Sequence, residues 1–243
     1  MSSEAAPSHG ATQTPPAQSV RNRRSVCVFC ASSTEISQRY LDLAAEVGTN
    51  LGRRGYTLVS GGGSISSMGA LAVAARGAGA RTVGVIPEAL LAYEVGDHDA
   101  DELVVTADMR ERKGVMDARA DAFLVLPGGI GTLEEFFEAW VGSVLGMHSK
   151  PVVVLDPWDD YAALHQLLRD LVASRFVSID VAARVVWTRG VSESLDAIER
   201  HWEQVGGQEF PSSLPQPTRG GTAGGGSAEA GVPVDLPTYL ESD

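Results

Sequence analysis

The sequence predicts an α/β fold of the Rossmann-like, doubly wound kind: a parallel sheet with helices on both faces, in a single domain. Three observations predict it. Short, almost wholly apolar runs recur along the chain, as strands buried on both faces require. Segments with apolar residues at helical spacing separate them, and strands that alternate with helices pair in parallel. Small-residue turns follow three of the runs, at the strand ends where such sheets hold ligands.

Residues 25–30 read as the first strand, followed by the small-residue turn Ala31-Ser32-Ser33-Thr34. A helix is expected over 36–53, where Leu41, Ala44, Val47 and Leu51 repeat at helical spacing. The second strand is 56–59. Ser60, Gly61, Gly62, Gly63 and Ser64 then turn the chain into a helix over 66–76, whose small residues allow close packing on the sheet. Further strands are expected at 82–86, stopped by Pro87, and at 102–105, 123–126, 151–155 and 185–187. Helices are expected at 109–118, through 164–171 and at 192–202. Residues 1–24 and 206–243 are rich in Ala, Pro, Ser, Gly and Thr without apolar periodicity, so both are expected to be disordered around a domain over 25–205.

Composition narrows the function. With 243 residues, 44% hydrophobic and 21% charged, the chain fits one globular domain with a real core. A formal net charge of −12 argues against a nucleic-acid partner, because phosphate-backbone affinity needs a basic surface. No apolar stretch is long enough to span a membrane and the first residues lack the pattern of a signal peptide, so a cytoplasmic location is expected. Cys27 and Cys30 read as CxxC, but their odd separation within a strand puts them on opposite faces, away from redox or zinc chemistry.

The stretch that organises the chain is AFLVLPGGIGTLEEFFE, residues 122–138. An apolar strand ends at Pro127, which removes a backbone donor. Gly128, Gly129 and Gly131 permit close approach of another group, and Thr132 with Glu135 three residues on reads as an N-cap and capping box, so a helix is expected from near Thr132. Free backbone N–H groups at a helix start behind such a loop form an anion site, for which phosphate is the usual occupant. Glu135 lies one turn in, either as a simple cap or as a catalytic carboxylate beside a phosphate ester.

Other glycine-rich chemistries fit poorly. Ser66 stands where a dinucleotide fingerprint needs its third glycine, and no lysine follows any glycine turn as a P-loop demands. Two separate glycine turns suit a mononucleotide better; the alternative is that Gly61, Gly62 and Gly63 simply let the next helix pack closely. A second informative stretch is Asp108 to Lys113. Asp108 and Glu111 form a capping box, which puts Arg112 and Lys113 near a helix N-terminus, against the macrodipole. Residues kept against local preference point to function.

Pro127-Gly128-Gly129-x-Gly131-Thr132-x-x-Glu135 resembles the PGGxGTxxE signature of the LOG family, the cytokinin riboside 5′-monophosphate phosphoribohydrolases, once widely labelled lysine decarboxylases. Residues 109–113 resemble the family's M-H-x-R-K element, with Arg110 in place of His, and residues 61–69 its GGGxxGLMG turn, with Ser66-Ser67 in place of Gly-Leu. The resemblance implies that Arg112 and Glu135 are catalytic. It implies substrate contacts from Ser32, Ser33, Gly62, Gly63, Glu94, Met109 and Lys113. Further contacts are implied along the loop and first helical turn, at Gly128, Gly129, Ile130, Gly131, Thr132, Leu133 and Glu134.

The implied reaction is hydrolysis of AMP or N6-substituted AMP to free base and ribose 5-phosphate, with no cofactor and no metal. A homodimer with sites near the interface is implied as well, to which Phe136, Phe137 and Trp140 could contribute unless they are core. Lysine decarboxylase chemistry would need a pyridoxal phosphate lysine, and Lys113 and Lys150 are the only lysines. The rival reading is a non-catalytic nucleotide carrier or sensor, which would need the glycine turns but not the Arg112 and Glu135 pair.

Overall fold

The computed structural model describes residues 24–91 and 96–205, so the two tails and Glu94 lie outside the described residues. Among the described residues seven strands, β1 (Ser25–Phe29), β2 (Thr57–Ser60), β3 (Arg81–Pro87), β4 (Glu102–Thr106), β5 (Ala122–Val125), β6 (Val152–Leu155) and β7 (Val185–Thr188), form one sheet. Every pairing is parallel and the order is β4-β3-β2-β1-β5-β6-β7. The chain therefore winds outward from β1 in one direction and from β5 in the other. Loops leaving β1 and β5 diverge, which opens a crevice at the switch point.

The described residues form eight helices, α1 (Gln38–Arg53), α2 (Ser66–Gly77), α3 (Glu88–Leu91), α4 (Met109–Arg119), α5 (Ile130–Val144), α6 (Ala162–Ala173), α7 (Ile179–Ala182) and α8 (Val191–Val205), the last of which follows β7. Successive strand residues feed two separate cores. Val26, Val28, Leu58, Leu124 and Val153 pack with α1, α2 and α8, while Cys27, Phe29, Val59, Phe123 and Val152 pack with α4, α5 and α6. Burial of both strand faces explains why these runs are apolar throughout rather than alternating. The two cysteines divide as expected, Cys27 in one core and Cys30 in the other, both free.

The expected elements are present with ends shifted by a residue or a few, and α3 and α7, four residues each, are additional. One start is corrected. The N-cap of α5 is Gly129 rather than Thr132, and the helix begins at Ile130. Gly128 and Gly129 bend the chain early enough for Thr132 to fall inside the first turn, where it is buried against Gly128; a Cβ at Gly128 would meet Thr132 Oγ1 at 2.2 Å. Glu135 is thereby released from capping. At α4 the box is real but offset: the Asp108 carboxylate accepts from the Arg110 and Glu111 N–H groups at 2.9 and 2.8 Å, and Glu111 accepts from Ala107 N–H at 2.7 Å.

Candidate functional site

A cleft of about 590 Å³ opens at the C-terminal edge of the sheet, walled by the loops after β1, β2, β5 and β6 and by the start of α4. Its lining includes Ser32, Ser33, Ile36 and Tyr40 after β1, Gly61 and Met68 after β2, Leu90 and Met109, residues 127–132 after β5, and Arg112, Glu134, Glu135, Asp160 and Tyr161. Ser66 holds its wall in place: it sits at φ 56° and its hydroxyl donates to Ser33 O at 2.5 Å, joining the α2 turn to the β1 loop.

The loop after β5 leads into the N-terminus of α5, a geometry suited to an anion. Tyr161 Oη donates to Leu126 O at 2.9 Å and accepts the Gly128 N–H at 3.0 Å, which fixes the loop and occupies that amide. The amides of the α5 N-terminus beyond it carry the unsatisfied positive ends of the peptide dipoles. Tyr161 is in turn held by Asp156, whose carboxylate accepts from Tyr161 N at 3.0 Å and Asp160 N at 2.8 Å.

Arg112 is only 7% exposed. Its Nε donates to Val85 O at 3.0 Å and its Nη2 to Gly61 O at 3.3 Å, so carbonyls at the ends of β3 and β2 solvate the cation that the α4 N-terminus disfavours. Its Nη1 lies 3.3 Å from Glu135 Oε1. Gly61 is required for this arrangement, since a Cβ there would stand 2.0 Å from Nη2. Nη1 also donates to Met109 Sδ at 4.0 Å, so four of the five guanidinium N–H groups face protein partners and one on Nη2 is left for a ligand.

Burial pushes the Glu135 carboxyl up from 4.5 to about 7, and the nearby Arg112 cation only partly offsets it. Desolvation thus outweighs the ion pair, and Glu135 exchanges a proton near neutral pH. Cys30 also lines the cleft, but burial drives its thiol far above the ordinary range and leaves it inert.

Most of the expected site residues meet in this cleft: Ser32, Ser33, Met109, Arg112, Gly128, Gly129, Ile130, Gly131, Thr132, Glu134 and Glu135. Others stand apart from its lining. Gly62, at φ 77°, backs onto Val85 and Ile86, and Gly63 bridges Gly96. Leu133 packs into the core. Lys113 ion-pairs with Glu134 and Glu138 and lines a second, mostly apolar cavity of about 300 Å³ with Phe29, Phe123, Val141 and His148. Glu135 borders both cavities. Tyr40, Asp160 and Tyr161 line the cleft without having been singled out from the sequence; only the placement of β6 beside β5 signals the last two. No group of three His, Cys, Asp or Glu side chains suited to a metal ion occurs among the described residues.

A family model described as possible lysine decarboxylase matches residues 68–198. The cytokinin riboside 5′-monophosphate phosphoribohydrolase of Mycobacterium tuberculosis is 50% identical over 172 residues, covering 71% of this chain and 91% of the relative. The protein of the same name from Rhodococcoides fascians is 38% identical, covering 75% of this chain and 92% of its own length. Among solved structures, the molybdenum cofactor carrier protein of Chlamydomonas reinhardtii superposes with a TM-score of 0.58 at 21% identity, covering 74% of this chain and 99% of that one, a likeness of fold alone. With the family model matched across more than half its length, and with half its aligned residues shared with a named phosphoribohydrolase, the chain belongs to the LOG family.

Proposed function

We propose that this protein hydrolyses the N-glycosidic bond of adenosine 5′-monophosphate or an N6-substituted form of it, releasing the free base and ribose 5-phosphate. One observation carries the reading: a buried Arg112 and Glu135 pair stands one helical turn from an amide-rich anion cradle, in the same cleft. A phosphate on the cradle brings the sugar of a 5′-nucleotide alongside Glu135. A pure binding module has no use for a desolvated carboxylate there.

Cleavage of the bond builds positive charge on the ribose, as in glycoside hydrolysis. Ionised Glu135 faces that charge and takes a proton from the attacking water. Its pKa of about 7 makes it a better base at neutral pH than an ordinary glutamate, and a positioned base contributes about 10² to 10⁴ in rate. Arg112 holds Glu135 in register and offers its remaining Nη2 N–H to the ligand; it stays protonated and is no general acid. Phosphate binding supplies energy remote from the reacting bond, which predicts weak turnover of nucleosides. Neither lysine lines the cleft: Lys113 is tied to Glu134 and Glu138, and Lys150 to Asp117, so the decarboxylase description has no Schiff-base lysine at this site.

The active form in this reading is a cytoplasmic homodimer. Phe136 and Trp140 are core residues, but Phe137, Val141, Leu145 and Met147 leave a row of apolar side chains exposed along and just beyond α5, with Val141 50% and Met147 75% exposed. An uncovered apolar row of this kind favours a second copy. No helix among the described residues is long and apolar enough to cross a membrane.

Incubation with AMP, isopentenyl-AMP and the matching nucleosides, with free base followed by chromatography, tests the reaction. Base release from the monophosphates, lost in Glu135→Gln and Arg112→Ala, is the expected outcome. Tight AMP binding without release from any nucleotide would leave a carrier or sensor. Sedimentation of the wild type and Val141→Glu tests the dimer, with the variant expected as monomer.

A further inference from the structure

The loops around the cleft follow the strand order, so the sheet lays out its subsites in a row. Arg112 is anchored on the ends of β3 and β2, the anion cradle follows β5, and Tyr161 and Asp160 follow β6. Neighbouring strands lie about 4.8 Å apart, which sets the β6 end roughly 14 Å from the β2 end. In the reading given above, the ribose sits at Glu135 and its 5′-phosphate on the first turn of α5. The next group along the crest is then the segment whose Tyr161 hydroxyl holds the Gly128 amide at 3.0 Å.

Asp160 lines the cleft at that end and is held there from both directions. Its carboxylate accepts from Tyr40 Oη at 2.9 Å and from Arg39 Nη2 at 3.1 Å, and its backbone N–H donates to Asp156 at 2.8 Å. Arg39 does not line the cleft; its guanidinium lies over the rings of Tyr40 and Trp158 at 4.7 and 4.6 Å. A carboxylate at the phosphate end of an anion site contributes nothing to holding the anion. Its presence there needs another account.

We propose that Asp160 is a specificity-determining residue that restricts the cleft to nucleotides with a single 5′-phosphate, by fixing a carboxylate where a β-phosphate would lie. This rests on the hydrolase reading for the direction in which the nucleotide lies. The first phosphate meets the α5 amides and is bound. A second one meets the Asp160 carboxylate across a partly solvated wall; Arg39, ion-paired with that carboxylate at 3.1 Å from outside the cleft lining, offsets part of its charge. A unit charge about 6 Å away in such surroundings changes affinity by roughly ten-fold.

The test separates binding from turnover. Displacement of a fluorescent N-methylanthraniloyl-AMP by AMP, ADP and ATP is measured on the full chain in EDTA, for wild type, Asp160→Asn and Asp160→Glu, with base release followed in parallel. Wild type is expected to prefer AMP over ADP by several-fold to about ten-fold; Asp160→Asn, which removes one unit charge and leaves Arg39 unpaired, should shift that ratio towards ADP by up to about ten-fold, and Asp160→Glu should retain it. Equal affinities in wild type, the same ratio in Asp160→Asn, or no nucleotide binding at all overturns the proposal. Loss of discrimination in Asp160→Asn without base release from any nucleotide upholds the role of Asp160 and sinks the hydrolase instead.

Discussion

Replacing Glu135 with Gln should stabilise the folded protein while abolishing its activity, and the gain should grow with pH. In the fold the Glu135 carboxyl titrates near 7, against 4.5 in an exposed glutamate. Below pH 4.5 the group is protonated whether the chain is folded or not, and its neutral form suits the buried site. Between 4.5 and 7 the unfolded chain sheds the proton while the folded one keeps it, so stability is lost as pH rises, and above about 7 the loss levels off. At about 1.4 kcal/mol per pH unit, the span from 4.5 to about 7 amounts to about 3 kcal/mol in full. Between pH 5 and pH 8 about 2 kcal/mol of it should be visible.

Gln keeps the shape and an acceptor for Arg112 but has no proton to lose. Urea unfolding of wild type and variant at pH 5, 6, 7 and 8 measures the difference. Other pH-dependent groups, including His148 and His165, whose imidazoles burial holds below their ordinary values, are common to both proteins and cancel. The baseline cost of changing one side chain cancels too, because only the change of the difference with pH is read. A difference that stays flat from pH 5 to pH 8 would refute the claim that desolvation outweighs Arg112 at Glu135. A wild type that gains on the variant as pH rises would reverse it, since that is the sign of a carboxylate stabilised by its ion pair.

The same titration should appear in catalysis: kcat/KM for the monophosphate should rise with pH and bend near 7, and a flat profile from pH 5.5 to 8.5 would exclude Glu135 as the base. Gly61→Ala puts a Cβ 2.0 Å from Nη2 of the buried, hydrogen-bonded Arg112, so calorimetry should find a cost of about 1 to 3 kcal/mol while turnover falls by roughly 10² or more. Gly128→Ala meets the stiff, buried Thr132 instead and should cost about 1 to 3 kcal/mol, read by the same melts. Tyr161→Phe strands the Gly128 N–H and the Leu126 carbonyl, which should cost about 1 to 3 kcal/mol in denaturant unfolding. It should raise KM more than it lowers kcat.

The fold was legible because its information is local and repeated. A strand buried on both faces must be apolar at every position, as Val152 to Leu155 and Ala122 to Val125 are, and no neighbour is needed to recognise it. What misled was a local signal outweighed by a stronger one. Thr132 and Glu135 have the spacing of a capping box, yet two glycines upstream let α5 start earlier, and the Thr132 side chain is worth more packed against Gly128 than exposed at a helix end. The four-residue helices α3 and α7 are too short to show a period at all.

The site divides along the same line. Arg112 is visible in the sequence because a cation at a helix N-terminus contradicts the dipole, and a contradiction can be detected without knowing what resolves it. What resolves it is invisible there: the Gly61 and Val85 carbonyls belong to backbone remote in the chain, and every residue has a carbonyl. Asp160 and Tyr161 show the opposite case. Asp-Pro-Trp-Asp-Asp-Tyr reads as a polar turn in any protein, and nothing local conflicts with that. Its part in the cleft comes from topology, because β6 pairs with β5 and so delivers this turn beside the loop that starts α5. Residues that recognise a ligand through strand order are therefore the ones a sequence motif omits, and specificity at the β6 end of the cleft is free to differ between relatives that share the whole Pro127 to Glu135 signature.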